Sequence, residues 1–239
     1  MTAPAQNFAL AEQLNLQLRR IGREGEPVLA VETALREPEA LINYAAEAVE
    51  FTPAWTPAGG YPGVRAPAPL NYVETLVRAL NPAIQRAFGL SGVKLARAEC
   101  NFSMVVLRDA QLAPLQQIPH VDTNDPLQFA LLHYLCGPEH GGTAFYRHRA
   151  TGFETLTADR QPEYEAIREG ELAEQPSGYI RGDTIHYEQT AAFEAQFNRV
   201  LIYRSRTLHS GQIPAGAELA ADPRKGRLTA NIFLNYRQL

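Results

Sequence analysis

The sequence is poor in cysteine, with two among its 239 residues, and Cys100 and Cys136 form no CxxC pair. That excludes a disulfide-framework protein and a two-cysteine redox motif, and makes a reducing cytoplasm the expected address. A single Cys100–Cys136 bridge stays open. Long hydrophobic runs are also missing. Phe129–Cys136, the longest near the middle of the chain, contains His133 and Tyr134 and falls far short of the roughly 20 apolar residues that span a bilayer. Met1 to Leu18 has no basic start followed by an apolar block, so no secretory signal is expected. There is no Lys/Arg run, the formal net charge is -4 and the pI is about 5.9. Such a balance argues against nucleic acid or an anionic membrane as the main partner and leaves a small-molecule or peptide substrate. Nothing fixes the oligomeric state, and no internal repeat or low-complexity tract occurs.

What is present is an ordinary globular composition, 45% hydrophobic and 20% charged, on a chain long enough for one large domain with its own core. Leu14, Leu16 and Leu18 alternate with polar residues, as in a strand or short helix, and Val28–Val31 reads as a strand. Pro38 opens a helical pattern with Leu41, Ile42, Ala45, Ala48 and Val49 on one face. Residues 52–69, with five prolines and three glycines, are expected to form an irregular loop. A second helix is expected over Asn71–Phe88, with Pro82 as a possible bend and Gly89 as its stop.

From about Lys94 short β-rich runs dominate: Ala98–Leu107, Leu127–Cys136, Thr143–Arg147, Val200–Arg204 and Leu228–Tyr236. A polar insertion, residues 154–178, carries a predicted short helix at Pro162–Gly170. Helices first and strands afterwards predict an α+β chain, mainly an antiparallel β core with the N-terminal helices on one side.

The chemistry centres on Ile118-Pro-His-Val-Asp122. In extended backbone, residues two apart point to the same side. His120 and Asp122 can then present an imidazole nitrogen and a carboxylate oxygen to one point. With a third ligand from elsewhere, two histidines and one carboxylate occupy one face of an octahedron and leave three positions open, the arrangement of non-haem Fe(II) oxygen chemistry. Alone, the His-x-Asp spacing is common. It is followed here by Leu131-Leu-His-Tyr-Leu-Cys136, by Gly141-Gly-Thr-Ala-Phe145, by Arg199-Val-Leu-Ile-Tyr-Arg-Ser-Arg-Thr-Leu-His209, and by Arg227-Leu-Thr-Ala-Asn231.

In that order the elements resemble the Fe(II)/2-oxoglutarate-dependent dioxygenase superfamily, in particular its prolyl 4-hydroxylase-like branch, over roughly residues 95–237. Tyr61-Pro-Gly-Val-Arg65 and Gly141–Arg149 further resemble an uncharacterised bacterial family within it. The resemblance implies a double-stranded β-helix (jelly-roll or cupin-like) core. It implies one oxygenase domain over 1–239, with strands and supporting helices in 1–93 and the jelly roll in 94–239. The implied cofactors are Fe(II), 2-oxoglutarate as cosubstrate, and O2. His120, Asp122 and His209 are the implied metal ligands and catalytic centre. Arg227 is the implied anchor of the cosubstrate's far carboxylate, with Thr229 and Asn231 on the same strand face. His133 falls where relatives often carry a cosubstrate-binding tyrosine. The implied reaction is hydroxylation with release of succinate and CO2. The carboxylate at Asp122 implies that halogenation is not the reaction.

The separation from His209 to Arg227, 18 residues, exceeds the usual one, and Ile213–Lys225 is expected to loop out and absorb it. Gly141-Gly142 reads as a hairpin turn. Tyr146, Arg147, His148 and Arg149 read equally well as surface decoration or as the mouth of a substrate pocket. His140 and His186 read as structural or surface residues, and Trp55 as either a core cap or a substrate contact. Two other classes compete with the oxygenase: a cupin-type metal barrel with different chemistry, and a barrel retained only as a binding module. A buried arginine opposite the metal separates the first from the oxygenase, and an intact ligand set separates the second.

Overall fold

The computed structural model describes residues 8–174 and 177–239. Residues 1–7, within the segment read for a secretory signal, lie outside the described residues. The described chain is mainly antiparallel β structure with three α-helices. The strands are β1 (Asn15–Ile21), β2 (Glu26–Glu32), β3 (Thr52–Thr56), β4 (Gly59–Pro67), β5 (Val93–Val105), β6 (Gln128–Tyr134), β7 (Gly142–His148), β8 (Tyr187–Glu194), β9 (Val200–Arg204), β10 (His209–Gln212) and β11 (Leu228–Gln238). The helices are α1 (Pro38–Glu47), α2 (Leu70–Ala87) and α3 (Gln161–Glu171). Eight strands form one sheet in the order β1-β2-β9-β6-β11-β5-β4-β3, and three form a second in the order β10-β7-β8.

The central strands of the large sheet are apolar on both faces because both faces are covered. In β6, Phe129 and Leu131 pack with α1 and α2. Ala130, Leu132 and Tyr134 point the other way, into the space shared with the small sheet. In β2, Leu29 and Val31 take the helix side, and Val28 and Ala30 the inter-sheet side. This is why Val28–Val31 is continuously hydrophobic rather than alternating. Helix α2 lays Tyr72, Val73, Leu76, Val77, Leu80 and Ile84 on the sheet, the i, i+3/i+4 stripe of an amphipathic helix. It continues through Pro82 and is stopped by Gly89, whose φ is +63°. Between the sheets, the Phe145 ring sits edge-on to Tyr203 and Phe193, with centroids 5.0 and 5.9 Å away.

One expectation is overturned. Residues 52–69 are not an irregular loop but the hairpin β3–β4, at the outer edge of the large sheet. Pro53 is tolerated because β3 is the edge strand, where a missing N–H faces no partner. The turn uses Gly59 and Gly60 at positive φ. Strands β8 and β10 had no clear sequence signal: β10 is four residues long, and β8 carries mixed polarity. Cys100 and Cys136 are both free thiols. No helix among the described residues is long and apolar enough to cross a membrane.

Candidate metal centre and its cavity

His120 and His209 face one another in a single antiparallel bridge. Each N–H donates to the other's carbonyl at 2.9 Å. Two residues on, the Asp122 N–H donates to the Ser205 carbonyl, also at 2.9 Å. The extended His-x-Asp segment is therefore laid along the end of β9 and the start of β10, which brings the three side chains together. Their candidate ligand atoms all lie within 4.8 Å of one another. Asp122 Oδ1 is 3.9 Å from His120 Nε2, and Oδ2 is 3.9 Å from His209 Nε2. The two imidazole centroids are 4.4 Å apart. His209 Nδ1 sits 2.8 Å from the Thr207 carbonyl. A carbonyl only accepts, so Nδ1 carries the proton and Nε2 is left with a free lone pair on the side of Asp122.

The electrostatics suit a cation. Burial, and then the neighbouring His209, hold His120 down at about 4 despite the pull of Asp122 the other way. Burial holds His209 at about 4, against its hydrogen bond to Thr207. Burial raises the Asp122 carboxyl, against the influence of His120 and the Ser205 hydroxyl. Both imidazoles are thus neutral and available as donors. The His209 side chain is 7% exposed but that of His120 is 55% exposed. Water reaches the His120 ring, while the protein around it still removes much of its solvation.

The three residues lie on the wall of a cavity of about 380 Å³ between the sheets. Asn231 lines the same cavity, and its Oδ1 is buried with no hydrogen-bond partner. Arg227 and Thr229 lie just behind the lining, at 4% and 0% exposure. The Arg227 Nε and one Nη donate to the carbonyls of His140 and Gly142, at 3.2 and 3.0 Å. The guanidinium carbon lies 5.8 Å from the Tyr134 ring centroid. Among the described residues, no carboxylate comes within ion-pair distance of Arg227, though it sits beside the lining residues Tyr61, Tyr179 and Gly211. A buried guanidinium without a counter-ion is costly unless an anion arrives. Ile213–Lys225 forms no strand, and β11 starts at Leu228, so the long separation from His209 is absorbed as a loop.

His133 is not at the site. It shares the face of Phe129 and Leu131, the face turned toward the helices. Its Nδ1 is 2.8 Å from the Tyr72 hydroxyl on α2, and its Nε2 is 3.1 Å from Asn198 Oδ1. Alternation along β6 gives the inter-sheet face to Tyr134, whose hydroxyl is 2.7 Å from Thr143 Oγ1.

The run Tyr146–Arg149 does not line the cavity, and within it Arg149 alone is at the surface, 3.2 Å from Asp183. Tyr146, Arg147 and His148 are buried. Arg147 pairs with Glu154 at 3.1 Å and with Glu188, and His148 Nε2 is 2.8 Å from Glu171 at the end of α3. Gly141-Gly142 is not a hairpin turn either, because β6 and β7 belong to different sheets. Trp55 packs against the large core rather than lining the cavity. The His140 and His186 rings lie 3.3 and 3.2 Å from the carboxylates of Glu139 and Glu171 and do not line the cavity. Helix α3, from the polar insertion, lines a second cleft on the far side of His120 and Asp122 through Gln161, Tyr164, Glu165 and Arg168.

Several cavity residues had no place in the sequence-derived site, among them Tyr61, Arg65, Tyr179 and Tyr203. The first two come from the hairpin that reads as a loop. Their signal was the resemblance carried by Tyr61-Pro-Gly-Val-Arg65, which brought no role for either residue.

The fold and the cavity define a mainly β protein with a candidate metal centre of two histidines and one carboxylate. The chain belongs to DUF6445, described as a family of unknown function, whose profile matches residues 12–234. No curated protein matches the sequence. Among solved structures, it is similar to the non-heme alpha ketoglutarate dependent epimerase SnoN from nogalamycin biosynthesis. The identity is 13% and the TM-score 0.49, over 88% of this chain and 78% of that one. It is similar to HygX from Streptomyces hygroscopicus, solved with nickel, 2-oxoglutarate and hygromycin B, at 11% identity and TM-score 0.47, over 87% and 82%. An N-substituted L-amino acid dioxygenase from Burkholderia ambifaria AMMD gives 10% identity and TM-score 0.38, over 93% and 94%.

Proposed function

We propose that the chain is an Fe(II)- and 2-oxoglutarate-dependent oxygenase, built as one double-stranded β-helix domain of the prolyl 4-hydroxylase-like kind. The observation that carries this is the convergence of His120, Asp122 and His209 within 4.8 Å at a cavity wall. The donor set of two imidazoles and one carboxylate suits Fe(II) with open positions. When bound with 2-oxoglutarate and O2, that iron supplies the oxidising power for hydroxylating a C–H bond, with succinate and CO2 as coproducts.

The chain's own residues do the rest. His209 is held by its bond to the Thr207 carbonyl, so that Nε2 faces the centre. Arg227, buried and without a counter-ion, receives the far carboxylate of 2-oxoglutarate, with Tyr134 and Thr229 beside it. Asn231 offers an unpaired amide oxygen to whatever occupies the cavity. Phe145, Tyr203 and Phe233 keep water from the inter-sheet end.

Arg227 also favours this reading over a cupin with other chemistry, which has no use for a buried, unpaired guanidinium near its metal. The test is anaerobic addition of Fe(II) and 2-oxoglutarate to the purified protein. A weak visible charge-transfer band should appear only with both present. Its absence at saturating concentrations of each would remove the assignment.

A further inference from the structure

Arg227 is not the only cation at the cavity. Arg65, on β4, lines it directly. Among the described residues its side chain meets no ion-pair or hydrogen-bond partner. Its Nε is buried and unpartnered, and its guanidinium carbon rests 4.6 Å from the centroid of the Tyr61 ring. The Tyr61 hydroxyl is also buried and makes no close hydrogen bond, with the Thr229 hydroxyl as a polar neighbour. This stacking is made possible locally: a Cβ on the intervening Gly63 would stand 2.9 Å from the Tyr61 ring and 1.8 Å from the Met104 carbonyl. Register across the sheet sets Arg65 beside Ser103, Ser103 beside Thr229, and Thr229 beside Tyr134. The Ser103 Oγ is a further buried atom with no partner. Unpaired buried polar groups are rare and call for an explanation. Here Tyr61, Arg65 and Asn231 line one cavity, with Ser103 buried beside Arg65 in the sheet.

We propose that Arg65, backed by Tyr61, is the binding site for a carboxylate group of the substrate. The proposal rests on the oxygenase reading for its division of charge. Fe(II) and Arg227 are balanced by Asp122 and the dianionic cosubstrate, which leaves the Arg65 guanidinium to be matched. One guanidinium presents a planar fork suited to one carboxylate. The Tyr61 hydroxyl adds a neutral donor. Much of the remaining lining, including Val105, Leu115, Ile213 and Phe233, is apolar. The substrate class is therefore an organic acid with an apolar body, entering past the β3–β4 hairpin with its acid group on Arg65 and its body toward His120.

The test is calorimetric and needs no turnover. The protein is loaded anaerobically with Mn(II) and 2-oxoglutarate and titrated with 4-phenylbutyrate and, separately, with its neutral amide. The acid should bind about tenfold or more tighter than the amide, the worth of one charge-assisted pair. R65M should erase that preference, while R65K, which keeps the charge and guards against a folding artefact, should retain part of it. R65M should keep 2-oxoglutarate binding, its Kd rising far less than that of R227M. No acid preference in wild type, or a preference undiminished in R65M, overturns the proposal. Loss of 2-oxoglutarate binding in R65M overturns it too, and makes Arg65 the cosubstrate's anchor. Failure of every form to bind 2-oxoglutarate, with the acid preference intact, sinks the oxygenase reading and leaves the Arg65 site standing.

Discussion

His120 and His209 exchange both of their backbone hydrogen bonds, each at 2.9 Å, although 89 residues separate them in sequence. The pair fixes the two Cα atoms side by side and leaves the imidazoles only one region to share. Asp122 then reaches the same region from the next residue on its side of the strand. Removing any one donor opens the set on one face. H120A, D122A and H209A should each weaken Mn(II) or Fe(II) binding by about 100-fold or more, at least the upper end of what loss of a supporting partner costs. Anaerobic calorimetry reads this directly. Near-wild-type metal affinity in two of the three variants would mean that the cluster is not the metal centre.

Arg227 is predicted to bind the cosubstrate as well as the His140 and Gly142 carbonyls. R227M preserves most of the side-chain volume and removes the charge. It should raise the Kd for 2-oxoglutarate by about 30-fold or more, the cost of deleting one partner of a desolvated charge pair, and leave metal affinity close to wild type. Equilibrium binding of 2-oxoglutarate to the metal-loaded variant decides it. An unchanged Kd would assign Arg227 to holding the His140 and Gly142 carbonyls alone.

The sequence made the metal cluster legible because its parts are local: a His-x-Asp pair two residues apart, and a histidine at the end of an apolar strand. The same alternation put Thr229 and Asn231 on one face of β11, with Arg227 immediately before it. It failed at His133 for a reason of packing. Strand β6 is covered on both faces, so its hydrophobicity carries no phase, and nothing in Ala130–Tyr134 says which alternate residues face the helices. It failed at residues 52–67 because Pro53 sits on the edge strand β3 and Pro62 in the irregular register between β3 and β4, places where a sheet tolerates the residues that otherwise mark a loop. The cost was a cavity wall, since Tyr61 and Arg65 stand on that hairpin.

His133 is instead predicted to govern acid stability. The Asn198 amide is oriented by Leu35, whose N–H donates to Oδ1 at 2.9 Å and whose carbonyl accepts from Nδ2 at 2.7 Å. His133 Nε2 must therefore donate to Oδ1, and Nδ1 accepts from the Tyr72 hydroxyl. Burial, against the Asn198 bond, holds the folded pKa at about 4. Between about pH 4 and the unfolded value near 6.5 the unfolded chain binds the extra proton, so stability rises with pH across that window and falls as pH drops through it. In urea unfolding, the stability difference between pH 7 and pH 5 should shrink by about 2 kcal/mol in H133Q. His120 and His209 contribute equally to both proteins. An identical pH loss in variant and wild type would refute the role.

Gly142 governs whether the small sheet, and with it His209, can close on its neighbours. Its backbone pairs with Gln212 on β10 and with Glu194 on β8. A Cβ there would stand 2.0 Å from the Phe193 carbonyl and 2.8 Å from the Glu194 Cα, both backbone atoms that cannot swing aside. G142A must therefore push β7 and β8 apart. It should lower the unfolding free energy by about 1–3 kcal/mol, the usual cost of overpacking. Because β7 also carries Phe145, which is paired with His209, metal affinity should fall with stability. Gly170 supplies the contrast. It lies within α3, has no positive φ, and meets nothing within 4 Å of an added Cβ. G170A should therefore leave metal binding unchanged and stabilise the fold by about 0.5–1 kcal/mol. Urea midpoints of the two variants, measured together, separate strand crowding from a general intolerance of alanine. Equal effects at both positions would refute the crowding account.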